Sequence, residues 1–112
     1  MARVPPPPEG FQRFVDRYPK LGEAWDLMRD AGKDAGSLDS RTQLLVKLAV
    51  AIGAGRPGAV HSSCRKARAR RIPQKDLEQV IALAAPTIGL PAAVAAHQWV
   101  AESSSTADSS PD

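Results

Sequence analysis

His61 and Cys64 stand three residues apart, with Arg65 and Arg68 close behind them, in a stretch that carries helical signals. Residues three and four apart share a face of a helix, so an imidazole, a thiol and two guanidinium groups come within reach of one another. The imidazole is a general acid or base near neutral pH, and cations beside a thiol lower its pKa toward the nucleophilic thiolate. Arg65 and Arg68 are suited to hold a carboxylate. A plainer reading fits the same residues. Val60, Cys64 and Ala67 also make an apolar stripe, in which Cys64 is a small core hydrophobe and His61 a helix histidine bonded to backbone or to a carboxylate. Both readings stand at this point.

Other chemistry is limited by composition. Cys64 is the one cysteine, so the chain has no internal disulfide, no Cys-x-x-Cys pair and too few thiols for structural zinc. His61 and His97 are distant in sequence and lack local acids, so no metal site and no cofactor is implied. His97, on an Ala-rich segment, reads as a packing or interface residue. Arg65, Lys66, Arg68, Arg70, Arg71 and Lys75 fall within eleven residues that contain no acid. Around a helix they spread over most of the circumference, and no aromatic residue is interleaved for base stacking. That argues against nucleic acid and for a solvated face or an anion-binding rim.

Helices must position these groups. Phe11, Phe14, Val15 and Tyr18 recur at helical spacing before Pro19, and Leu21, Ala24, Trp25 and Met28 repeat the pattern before Gly32 and Gly36, expected as left-handed stops. Ser40 with Gln43 reads as a capping box, and Asp39 is an equally good cap. From Leu44 to Ile52 the one charge is Lys47, which predicts a helix at the centre of the bundle. It stops in Gly53-Ala54-Gly55. A fourth helix is expected from Pro57 to about Arg70, carrying the candidate site. A fifth starts at Pro73 with Leu77, Val80, Ile81 and Ala84 inward, is kinked or ended by Pro86 and closed by Gly89. A sixth runs from Leu90-Pro91 to about Ala101. The fold class is all-α, a compact bundle of about six helices.

The chain has 112 residues, 43% hydrophobic and only 4% aromatic, with a net charge of +3. Residues 1–9 read as a disordered proline-rich arm, 10–102 as one helical domain and 103–112 as a disordered Ser-rich tail. The small Ala-rich core and the flat last helix lead to an expected homo-oligomer. No apolar run of membrane-spanning or signal-peptide length occurs, so a cytoplasmic protein without membrane contact is expected.

Leu38 to Thr42, Leu45 to Gly55, Gly58 to Ser62, Arg65 to Ala67 and Ala85 to Ala95 together, in this order and spacing, resemble the carboxymuconolactone decarboxylase and alkylhydroperoxidase D-like family. Tyr18-Pro19 with Leu21, Glu23, Ala24 and Trp25 is similar to the lead-in helix of its small members. The resemblance implies an all-α oligomer. It also implies either decarboxylation of a muconolactone or reduction of peroxides and disulfides. The redox branch uses a Glu, a Cys-x-x-Cys pair and a His, in which a base generates the attacking thiolate. Those positions carry over to Leu44, Arg56, Ala59 and Ser63, and all four are replaced by residues of different chemistry. A glycine expected near position 71 is Arg71.

The resulting expectation is a family member with a diverged pocket that binds or transforms a small anionic or aromatic compound, with His61 as acid or base and Arg65 as carboxylate anchor. The alternatives are a non-catalytic oligomeric scaffold, a thiol peroxidase-like activity through Cys64, and a basic nucleic-acid accessory domain.

Overall fold

The computed structural model describes residues 9–108, with side chains to residue 104. The proline segment and the last four residues lie outside the described residues. Six helices and no strand occur among the described residues: α1 (Glu9–Arg17), α2 (Pro19–Asp34), α3 (Ser40–Gly53), α4 (Pro57–Ala69), α5 (Gln74–Ile88) and α6 (Leu90–Asp108). The chain divides between Asp39 and Ser40 into two compact units. The span 10–102, expected as one domain, crosses that division.

The first unit is a helical hairpin. Pro19 lacks an amide donor and suits the first turn of α2, so α1 ends at Arg17 and Tyr18 joins the two helices. The Tyr18 amide closes α1 on the Phe14 carbonyl at 2.9 Å, while its own carbonyl accepts from Leu21 and Gly22. The helices meet at Gly22, where a Cβ would stand 3.1 Å from the Val15 Cβ. Phe11 contacts Trp25 edge-on with ring centroids 6.0 Å apart, and Phe14 leans on Tyr18 at 5.2 Å. No residue of either helix is buried.

The second unit is a four-helix bundle in which α3 packs on α4 and α5, and α6 packs on α4 and α5. Its core is Leu48, Ala51 and Ile52 from α3, Val60, Cys64 and Ala67 from α4, Leu77 and Ile81 from α5, and Ala93, Ala96 and Val100 from α6, closed by Ile72. The three- and four-residue spacings put each set on one stripe, and the alanines of α6 let its backbone approach its neighbours closely.

Several expectations change. Val46 and Val50 are exposed, so α3 is one wall of the bundle rather than its centre. Four helices arranged in a ring leave every member one outer face. α2 runs through Gly32 to Asp34, and neither Gly32 nor Gly36 has positive φ. Ser40 is the first residue of α3 rather than its cap, which leaves the cap position to Asp39. Pro86 stays inside α5, two residues before its end, where it removes one hydrogen bond in the last turn without ending the helix. The sixth helix passes its expected end at Ala101 and reaches Asp108. Ser103, assigned by composition to a disordered tail, is only 5% exposed. The physical reason lies on α4, where Ser103 meets the buried Cys64 thiol and the part-buried Arg68 guanidinium.

Candidate functional site

α4 carries the candidate residues, and both its ends are held by the same backbone device. At its entrance Gly55 (φ 67°) takes the left-handed position, the Arg56 amide reaches the Ala51 carbonyl and the Gly55 amide the Ile52 carbonyl. At its exit Arg71 (φ 63°) does the same, with the Ile72 amide on Ala67 at 3.0 Å and the Arg71 amide on Arg68 at 2.9 Å. This double closure satisfies helix-end carbonyls and packs buried Ile72 beside Ala67. The turn keeps the shape a glycine favours although an arginine fills it.

Between these ends, Cys64 is 0% exposed. Burial pushes its thiol pKa up, and this outweighs a hydrogen bond with Ser103 and the Arg68 charge, which both pull it down. The lowered pKa that a reactive Cys64 requires is therefore reversed. The groups acting on the thiol come from Ser103 and Arg68, while His61 is not among them.

Arg68 is not free to hold a substrate either. Its guanidinium donates to Ser103 Oγ at 2.7 Å, to Gln74 Oε1 at 2.5 Å and to the Val100 carbonyl at 3.3 Å. One side chain thus joins α4, the start of α5 and the distal half of α6. Arg70 similarly donates to Ser40 Oγ at 2.8 Å. Two of the clustered cations, Arg68 and Arg70, serve as ties between helices.

What remains on the half-buried face of α4 is His61 with Arg65, one turn apart. His61 Nε2 lies 3.4 Å from Glu102 Oε1 of α6. That is ion-pair distance, but the angles do not make a hydrogen bond, and Nε2 is buried without a hydrogen-bond partner among the described residues. Arg65 is partly buried, and no hydrogen bond or ion pair engages it among the described residues. His97 lies exposed on α6. No three His, Cys, Asp or Glu side chains gather into a metal-binding set among the described residues.

Glu102 and Ser103 are missing from the sequence-based site. Their distance from α4 in sequence and their place before a Ser-rich tail hide them. Their spacing from Val100 and Trp99 on a continuing helix is the one signal that could have found them.

Residues 19–102 match the Carboxymuconolactone decarboxylase family. The chain belongs to that family. No curated protein and no solved structure matches it. Within this carboxymuconolactone decarboxylase family chain, the four positions carried over from the redox branch have unlike surroundings. Leu44 packs against the core, Arg56 and Ala59 are exposed at the start of α4, and Ser63 is half-buried in its middle. No helix among the described residues is long and apolar enough to cross a membrane.

A separate groove of about 490 Å³ lies between α3 and α5. It is walled by Leu45, Val46, Val80 and Leu83 and by the ion pair of Arg41 with Asp76, and none of the candidate residues lines it.

Proposed function

We propose that this carboxymuconolactone decarboxylase family member binds a small aromatic or aliphatic carboxylate at the α4–α6 face, with Arg65 as anchor and His61 as acid or base. The observation that carries this reading is the pairing of His61 with Glu102, one helical turn from an Arg65 without a partner among the described residues. Glu102 stands at the Nε2 edge of the ring, which leaves Nδ1 to exchange a proton with a ligand. Arg65 supplies the fixed positive charge that a carboxylate seeks. Thiol chemistry is set aside in this reading, because Cys64 is buried and its thiolate disfavoured.

Isothermal titration with benzoate and with short dicarboxylates tests the anchor. Arg65→Gln should weaken binding by roughly tenfold or more, the loss of one charge-assisted contact. Equal binding by wild type and Arg65→Gln would sink the site. His61→Gln should leave affinity largely intact and remove any turnover, separating proton transfer from binding.

The second reading is a non-catalytic scaffold. The replacement of all four redox positions by Leu44, Arg56, Ala59 and Ser63 favours it. Absence of binding across the carboxylates, together with stable self-association, is the outcome that would select it.

A further inference from the structure

Along α3, Thr42, Leu45, Val46 and Ala49 recur at three- and four-residue spacing, and along α5 Asp76, Val80, Leu83 and Ala84 do the same. Each set makes one stripe, and the two stripes wall the groove of about 490 Å³ between these helices. Leu45, Val80 and Ala84 form its floor against the core, while Val46 and Leu83 stand at its rim, 47% and 70% exposed. Every wall belongs to the four-helix unit. Arg41 pairs with Asp76, the second residue of α3 with the third of α5, so both helices start at the same end of the groove. From Arg41 to Ala49 and from Asp76 to Ala84 is eight residues, about 12 Å of helix and the length of an extended alkyl chain of about ten carbons.

We propose that this groove binds the apolar chain of a medium-chain fatty carboxylate, whose head pairs with Arg41. The site is separate from the His61–Arg65 face and does not rest on it. Charge selects the head. Residues 39–41 and 70–76, brought together where Arg70 donates to Ser40 Oγ at 2.8 Å, hold Arg41, Arg70, Arg71 and Lys75 against Asp39 and Asp76, net +2. Arg41 remains 53% exposed and meets Asp76 through Nη2, which leaves the other edge of its planar five-donor fork to a second carboxylate. The walls select the tail. Beyond Thr42 and Gln79 the lining is Leu, Val and Ala, so methylenes laid there lose nothing, whereas a peptide would leave amides unsatisfied. A mostly apolar groove of this size with a few polar groups at one end has the make-up of small-molecule sites. Asp76 tempers the affinity, because it competes with the ligand head for Arg41.

The test uses the full chain and decanoate, kept below its micelle-forming concentration, with decyltrimethylammonium as a probe of equal tail and opposite charge. In isothermal titration decanoate should bind roughly tenfold tighter than the cation, or more. In isotopically labelled protein it should shift the amide signals of Ala49, Val80 and Leu83. Arg41→Gln should weaken decanoate binding by roughly tenfold, while Asp76→Asn, which releases Arg41 to the ligand, should tighten it by roughly threefold or more. Both variants break the same ion pair, so opposite signs separate an effect on the ligand from an effect on the fold. Leu83→Glu, at the exposed rim, should weaken binding by roughly tenfold, since the tail would then desolvate a carboxylate. The proposal is overturned by a wild type that does not bind decanoate, by equal binding of the two probes or by signal shifts confined to α4 and α6. The same direction of change in Arg41→Gln and Asp76→Asn overturns it too. A groove already occupied by other protein gives the first of these outcomes, with Overhauser contacts to the Leu83 methyls in the unliganded chain.

Discussion

Arg68 of α4 donates to Ser103 Oγ of α6 at 2.7 Å, across 35 residues of sequence, and Ser103 in turn is hydrogen-bonded to the buried Cys64 thiol. This chain of three side chains fastens the distal half of α6 to the centre of the bundle. Arg68→Met keeps most of the stem but leaves Ser103, Gln74 and the Val100 carbonyl without their donor. It should lower unfolding free energy by about 2 to 3 kcal/mol in urea denaturation. Ser103→Ala should cost about 1 to 2 kcal/mol, and the double variant less than the two together, since they share one network. Deleting residues 103–112 should destabilise like Ser103→Ala. A deletion without effect would detach Ser103 from the fold.

Cys64 predicts a pH dependence. Its folded-state pKa is raised by burial, so the folded chain holds the thiol proton more tightly than the unfolded chain. The contribution is present below the ordinary thiol value of 9.0 and is lost as pH rises from there toward the folded-state value. Unfolding free energy measured across that alkaline range should fall in the wild type more steeply than in Cys64→Ala. Alkylation by iodoacetamide at pH 8 should be slow in the native state and normal in urea. Rapid native alkylation would show the thiol accessible and reopen the reactive reading.

Arg71 occupies a left-handed backbone position with φ 63°. A side chain there costs about 1 to 2 kcal/mol, part of which glycine loses again through unfolded-state entropy. Arg71→Gly should therefore stabilise the chain by about 0.5 to 1 kcal/mol, and Arg71→Val should destabilise it. Thermal unfolding separates the two, with Tm expected to rise by about 2 to 5 °C in the glycine variant.

With a dithiol reductant and a hydroperoxide, the wild type should show no steady turnover. Positions 56 and 59 hold an arginine and an alanine, and Cys64 has no resolving thiol in the chain. Ser63→His should not restore activity, since it supplies a base without a thiol to activate. Turnover by the unmodified protein that disappears in Cys64→Ser would contradict this expectation.

The sequence by itself determined the helices, because the three- and four-residue recurrence of apolar side chains and the placement of Pro19, Pro57 and Gly89 are local properties of the chain. It also determined the family, through pieces whose order and spacing survive the loss of the redox residues. The core stripe of Val60, Cys64 and Ala67 was legible for the same local reason. Only the tertiary structure decided which charges remain open. Periodicity placed Arg65 and Arg68 on one face, yet Arg68 meets Ser103, Gln74 and Val100 from two other helices while Arg65 meets none among the described residues. The partner of His61 was equally illegible: Glu102 stood in what composition marked as the edge of a tail, and its approach to 3.4 Å depends on how α6 crosses α4. Composition sums over a segment and registers Ser-rich polarity there. A single buried hydroxyl facing a part-buried guanidinium keeps the helix going, and that pairing exists only once α4 and α6 have packed.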